Sequence, residues 1–354
     1  MDFDFSEEEQ AIGELAEQIF KDKVTHEFLR SLEKEEEYFA EDLWQTLADS
    51  GLIGASLDKE YGGSGLSFLG ITALLELTGK FASPVPILET IVMGALPIQE
   101  FGTAVQASKY LPEVISGQLK LTAALVPAKT VVSQENELNG NVDYVPYGLT
   151  ADLILVPTDN GVYLVDRESY GLNFKPQKTT SGELQSAISF NNVKAERLGS
   201  ASTEEILAWT QLRVDSAICS ILSGACEAAL NLTSDYAKVR QQFDRPIATF
   251  QAVSQRTGDA FIDTEAVRLT SRQAAWRISA GLPAIVQVAI ARWWASEGSF
   301  RVMHAATHLH GGVGVDRDYP LHRYFLMSRK LELFLGNSEE QLEKLASCLT
   351  SPEE

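Results

Sequence analysis

The chain changes its hydrophobic rhythm twice. Over residues 1–118 apolar positions recur at three- and four-residue steps, the spacing of one helix face. Ile12, Leu15 and Ile19 form such a face behind a Ser6/Glu9 capping box. Leu43 and Leu47 mark a second helix over 41–50, which Gly51 stops. Gly62, Gly63 and Gly65 then force a turn within 60–67. A long apolar helix is predicted over 68–81, a helical stretch over 87–101, and a further segment ending near Gly117. From 119 to 192 the period shortens to that of strands. Leu153-Ile154-Leu155-Val156 and Val162-Tyr163-Leu164-Val165 flank Asp159-Asn160-Gly161, a hairpin signal. Asn139-Gly140 predicts a second turn of that kind, and Ala187-Ile188-Ser189-Phe190 another strand. After Ala201 the helical period returns. Val214, Ile218, Ile221, Leu222, Ala225 and Ala229 make one broad apolar face. That helix should end before Pro246, a second should run over 250–279, and a third should end at Gly311-Gly312. Pro320 opens a fourth, Gly336 breaks it, and Ser338 with Gln341 caps a last short one. The expected fold is mainly α with a small β domain. An N-terminal helical domain (1–118) precedes a middle β-sheet domain (119–200) and a C-terminal four-helix bundle (201–354).

Composition narrows the function classes. Of 354 residues 22% are charged and 45% hydrophobic, ordinary for a globular chain of this length. A formal net charge of −20 argues against nucleic acid and anionic membrane surfaces, which need a basic footprint. Cys219, Cys226 and Cys348 form neither a disulfide framework nor a CxxC pair, and the first two sit on an apolar helical face. The N-terminus has no basic region and no apolar core, so no signal peptide is expected. No run approaches the ~18 apolar residues of a membrane helix. A cytoplasmic chain without membrane insertion is the expectation.

Two segments carry candidate chemistry. In Tyr236-Ala237-Lys238-Val239-Arg240-Gln241-Gln242-Phe243-Asp244-Arg245-Pro246-Ile247, a helix end meets a turn started by proline. Arg240 and Arg245 on one side would offer two guanidiniums to a diphosphate, with Phe243 as an aromatic wall. A solvated helix end with surface arginines accounts for the same residues. In His308-Leu309-His310-Gly311-Gly312-Val313-Gly314, glycines after a helix let a ligand approach the backbone, though a plain helix-ending turn reads the same way. His304 and His308 stand one helical turn apart, as metal ligands can. They lack an intervening glutamate and a third ligand, so packing or capping is favoured and no metal is expected.

Taken in order, the motifs resemble one family. They are Asp42-Leu43-Trp44 with Leu52-Ile53-Gly54, Glu60-Tyr61-Gly62-Gly63-Ser64-Gly65-Leu66, Tyr236 through Gln251, and His310-Gly311-Gly312-x-Gly314. Together they resemble the signature elements of FAD-dependent acyl-CoA dehydrogenases over nearly the whole chain. The resemblance implies that Arg240 contacts the FAD pyrophosphate, that Phe243 packs beside the cofactor and that Gln251 hydrogen-bonds it. It implies that the Gly311-Gly312 region, with His308 in a place usually held by glutamine, meets the adenine end of an FAD held mainly by a neighbouring subunit. The family reaction abstracts an α-proton from an acyl-CoA with a buried carboxylate while the flavin takes a β-hydride.

Three departures from the family pattern change the expectation. The base-bearing Glu-Gly-Thr-Ser segment corresponds to Leu335-Gly336-Asn337-Ser338, which puts Leu335 at the base. A second branch places its base at the position of Val214. The neighbouring Asp215 is a weak alternative, because adjacent helical residues point about 100° apart. The flavin-holding loop corresponds to Ala124-Leu125-Val126-Pro127-Ala128, which is too short and apolar to cradle a flavin edge, and the strand to Val142-Asp143-Tyr144-Val145-Pro146-Tyr147, where Pro146 removes a backbone donor. The glycine usual after Phe243 is Asp244. This pattern resembles the base-lacking subunits of α2β2 acyl-CoA dehydrogenases of bacterial steroid side-chain degradation. The implied partners are an acyl-CoA substrate, a second dehydrogenase subunit, and an electron-transfer flavoprotein or similar acceptor. A self-sufficient homo-oligomer with an unusual base, and a non-enzymatic scaffold of the same fold, are the alternatives.

Overall fold

A computed structural model describes residues 3, 5–34, 39–125 and 131–350. Helices α1 (Glu7–Lys23), α2 (His26–Lys34), α3 (Glu41–Asp49), α4 (Phe68–Lys80), α5 (Leu96–Phe101) and α6 (Ala104–Ile115) come first. Strands β1 (Leu121–Ala123), β2 (Val132–Gln134), β3 (Glu137–Pro146), β4 (Leu153–Thr158), β5 (Gly161–Asp166), β6 (Leu172–Gln177), β7 (Gln185–Lys194) and β8 (Glu196–Arg197) follow. Then come α7 (Thr203–Val239), the short strands β9 (Gln241–Gln242) and β10 (Arg245–Pro246), α8 (Gln251–Ser279), α9 (Ile285–His310), α10 (Leu321–Leu333) and α11 (Ser338–Thr350). The order is mainly helical with a small β region, as the change of period predicts.

By packing, the chain divides into two compact units that cut across this order. One holds 31–71 and 84–214; the other holds 1–30, 72–83 and 215–354.

In the first unit, two four-stranded sheets run β1-β4-β5-β8 and β2-β3-β7-β6. Their apolar faces share one cluster that includes Leu138, Ile154, Val165, Ile188 and Val193. The predicted hairpin is present, with Thr158 paired to Gly161 across Asp159-Asn160. The second expected turn is misplaced in the sequence reading. The chain reverses at Glu135-Asn136, both left-handed (φ 52° and 63°), while Asn139-Gly140 lies inside β3 at a shift of register. The Asn139 side chain spends its polar groups on Asn192 across that bulge, accepting from its amide N–H at 2.9 Å and donating to its side chain at 3.1 Å. The stretch predicted helical over 87–101 begins as a π-helix, Leu88–Ala95, entirely buried and including Glu89 and Thr90. Thr90 Oγ1 exchanges bonds with the Leu121 N–H and C=O, both at 3.2 Å, tying that helix to β1.

In the second unit, the capping box of α1 forms as expected: Ser6 Oγ accepts from the Glu9 N–H, and Glu9 accepts from the Ser6 N–H. The short α2, with four charged residues in nine, buries only Leu29. The last helix is capped by Asn337, whose Oδ1 accepts from the Glu339 and Glu340 amides. Ser338, the expected cap, is its first helical residue. Contrary to the expectation that no stretch approaches a membrane span, α7 is long and apolar enough by composition, but the apolar window lies mostly buried inside the protein. Cys219 and Cys226 are buried on it. Burial pushes the Cys219 thiol up to about 12 and raises Cys226 as well, which leaves both inert as nucleophiles.

Helices α4 and α7 cross backbone to backbone at two glycines. A β-carbon on Gly79 would stand 1.8 Å from the Ile221 carbonyl oxygen, and one on Gly224 1.8 Å from that of Glu76. Neither carbonyl can retreat without breaking its own helix. Gly224→Ala is expected to destabilise the protein by about 1–3 kcal/mol, read as a lower denaturant midpoint. A wild-type midpoint would mean the crossing can spread freely.

Candidate functional site

At the end of α7 the Arg240 amide donates to the Tyr236 carbonyl at 2.8 Å, and the Ile247 amide returns to the Arg240 carbonyl at 2.8 Å. Between them β9 and β10 pair antiparallel, Gln242 with Arg245 and Gln241 with Pro246. The two-residue loop is Phe243-Asp244, both left-handed (φ 53° and 61°). Such a loop is normally built from Asn and Gly, and each side chain here costs about 1–2 kcal/mol. The left-handed φ at 244 is the physical reason a glycine suits that place, and aspartate tolerates it better than most residues. Phe243 is 86% exposed. Arg245 is drawn over the Phe250 ring at 4.2 Å, while Arg240 and Gln251 are exposed. The hairpin therefore displays Phe243 and Arg240 to solvent instead of burying them.

The second segment begins where α9 ends. Gly311 has φ 62° and ψ −139°, a conformation open to glycine. Gly314 needs its hydrogen for space, since a β-carbon would stand 2.7 Å from the Thr307 carbonyl oxygen. Gly312 meets neither demand, with no atom within 4 Å of a would-be β-carbon. The fold thus leaves its bare backbone accessible. His308 is exposed. His304 packs its ring against Phe300 and Phe325, and no group of three potential metal ligands occurs among the described residues. Sequence reasoning passed over His310, which is 3% exposed. Its ring stacks on Tyr236 at 4.4 Å, and its nitrogens meet the Ala306 carbonyl at 2.8 Å and the Tyr319 hydroxyl at 3.0 Å. The signal available in the sequence was its place on the apolar face of Val302 and Ala306.

A third cluster surrounds the C-terminal turn. Leu335 (φ 59°) and Gly336 (φ 121°) follow α10 in left-handed backbone. From α9, Arg292, with no exposed surface, reaches this segment. Its Nη2 donates to the carbonyls of Leu331 and Phe334, each at 2.7 Å, and lies 3.3 Å from that of Gly336. Its Nη1 donates to Ser296 and its Nε to Asp215 Oδ1 at 3.3 Å. Asp215 is 3% exposed and has Lys344 Nζ at 3.6 Å on its other oxygen. It is thus the counter-ion of a buried guanidinium. Both of its oxygens face cations that hold the carboxylate in place, which is the physical objection to Asp215 as a base. Val214 is buried and apolar.

Comparison with known proteins decides the family. The profile of the acyl-CoA dehydrogenase N-terminal domain matches residues 6–118, and that of the C-terminal domain matches 210–349. The chain is 34% identical over 364 residues to acyl-CoA dehydrogenase FadE27 of Mycobacterium tuberculosis, covering 98% of each. The chain belongs to the acyl-CoA dehydrogenase family. It also superposes on a chain from the crystal structure of the ChsE4–ChsE5 complex from Mycobacterium tuberculosis with a TM-score of 0.93 and 34% identity, over 100% of this chain and of that one. With the Tcur3481–Tcur3483 steroid ACAD the TM-score is 0.90 and the identity 36%, covering 97% of this chain and 98% of that one.

The family is one of oxidoreductases with FAD as cofactor. One half of such a group fits this chain: the exposed Arg240 suits a diphosphate, and the accessible bare backbone at Gly312 suits the close approach of a nucleoside. The strand expected to hold the ring fits poorly. Its Val142–Val145 step is bulged, and Tyr144 (φ 57°) is exposed there, held by Gln177 at its N–H. Pro146 has no N–H to give, and its carbonyl is taken by Thr122 Oγ1 at 2.6 Å. Of the loop expected before it, Ala124 and Leu125 are described; Val126, Pro127 and Ala128 lie outside the described residues.

If Asp215 is a counter-ion, Asp215→Asn is expected to lower unfolding free energy by about 3–5 kcal/mol, the cost of breaking a buried pair. Chemical denaturation measures this. Unchanged stability with abolished turnover would instead mark Asp215 as a base.

Proposed function

We propose that this chain is the FAD-supporting subunit of a heteromeric, cytoplasmic acyl-CoA dehydrogenase whose partner subunit carries the catalytic glutamate. The observation that carries the reading is the C-terminal turn. A leucine stands where the resemblance puts the base, and the buried carboxylates near it are paired, Asp215 with Arg292 and Glu332 with Arg329. The likeness to a two-component complex and to a steroid dehydrogenase supports both a partner subunit and a bulky steroid-derived acyl-CoA as substrate. A self-sufficient enzyme using Asp215 finds no support in that geometry.

In this reading Arg240 lends its guanidinium to the cofactor's diphosphate and the exposed Phe243 packs alongside. Gln251 and His308 add hydrogen bonds, and the backbone of Gly311 and Gly312 accepts close approach of the nucleoside end. Bound FAD supplies the hydride acceptor for α,β-desaturation of the thioester, and electrons leave to an electron-transfer flavoprotein or similar acceptor. This chain's own contribution is binding and orientation. No proton-accepting side chain is assigned to it.

Co-expression with a longer relative that carries the glutamate should give a complex holding about one FAD per two chains. In it, Arg240→Ala should weaken FAD binding by about 1.5–3 kcal/mol, roughly ten- to a hundredfold. A chain that alone binds stoichiometric FAD and oxidises an acyl-CoA contradicts the proposal.

A further inference from the structure

The hairpin after α7 and the turn after α9 are far apart in sequence, yet one histidine touches the anchors of both. Tyr236 sits in the last turn of α7, and its carbonyl receives the Arg240 amide, so its position fixes where the hairpin starts. The His310 ring lies nearly flat on Tyr236, with 26° between the planes. His310 is also the residue before Gly311, so its position fixes where the glycine turn starts. A carbonyl can only accept, so the nitrogen facing Ala306, Nδ1, carries the proton. Nε2 then accepts from the Tyr319 hydroxyl, and Tyr319 in turn packs edge-on to Tyr236 at 6.4 Å. Stacking alone needs no nitrogen; the two directed bonds fix the ring's rotation as well as its place.

We propose that His310 is a positioning residue that holds the Arg240 hairpin and the Gly311-Gly312 turn in register, so that one dinucleotide meets both. This rests on the reading of those segments as FAD contacts. Burial lowers the affinity of His310 for a proton from its ordinary 6.5. A base whose pKa is lowered by folding stabilises fully above the unfolded value and loses that contribution as pH falls below it. Retention of FAD should therefore weaken on acidification. Among the described residues, the titratable groups against the ring are Tyr236 of α7 and Tyr319 of the connection, and Asp235 of α7 acts on Tyr319. A control that alters His310 alone is needed to separate them.

The test follows FAD release by flavin fluorescence from the purified FAD-bound complex with its co-expressed partner subunit, at about pH 8 and about pH 5.5. Wild type should release FAD about five- to tenfold faster at the lower pH. His310→Leu should release about tenfold faster at the higher pH, with a flattened pH response. His310→Gln, which restores polar contacts without an imidazole, should recover slow release at the higher pH yet lack the acid step. If His310→Leu fails to fold, Tyr319→Phe, which removes only the hydroxyl, should still speed release. The proposal is overturned if the folded variants keep wild-type release and the wild-type pH step. Arg240→Ala separates the two layers of the argument. If it leaves release unchanged, the FAD-contact reading itself fails; if it speeds release while the His310 and Tyr319 variants match wild type, only the coupling fails.

Discussion

A guanidinium with no exposed surface dictates its own surroundings. Removing the Arg292 charge from water costs several kcal/mol unless a counter-ion and hydrogen-bond acceptors replace the solvent. Asp215 supplies the charge and Ser296 one acceptor. The remaining acceptors are backbone carbonyls of Leu331, Phe334 and Gly336, which lie at and beyond the end of α10. The Leu331 carbonyl lies in the last turn of α10, where no helical donor reaches it, and those of Phe334 and Gly336 lie beyond the helix, so the cation satisfies them as they satisfy it. One side chain thereby joins α7, α9 and the C-terminal turn, and holds Leu335 in a backbone conformation that leucine seldom adopts.

The same demand explains why the site was only half legible in the sequence. Local rules worked where the determinants were local: the Ser6/Glu9 box, the Asp159-Asn160 hairpin and the breaks in helical period all appear where the residues place them. They failed where a distant partner decides. Asn139-Gly140 has the composition of a turn, but Asn192 across the sheet recruits it into a bulge. Asp215 looked like a possible base because its neighbour on the chain occupies a base position in one branch of the family. Only the fold brings Arg292 and Lys344 to it, from 77 and more residues away. His310 was hidden for the opposite reason: inside a glycine motif, it reads as part of the motif instead of as the buried ring that joins two helix ends.

The candidate site also shows how a family pattern and a local rule inform each other. The pattern places glycine at 244, and the hairpin geometry says why, since both loop residues need left-handed backbone. The chain meets that need with Phe243 and Asp244 and accepts the strain. A strained turn presenting a nearly bare phenylalanine is costly to keep on a surface that touches nothing, which suits a segment that works against a second molecule.

The glycine crossing of α4 with α7 has a different bearing, on how the family drifts. Where two helices touch through backbone atoms, the contact depends on atoms that every amino acid possesses. Only the two positions that must stay bare, Gly79 and Gly224, are constrained by it. Neighbouring side chains are then free to change without moving the axes. A framework pinned in this way lets about two thirds of the residues differ from those of a relative while the paths of the two chains stay nearly the same, as the pairing of 34% identity with a TM-score of 0.93 illustrates. Chemistry can be lost or handed to another subunit on such a framework without the shape having to follow.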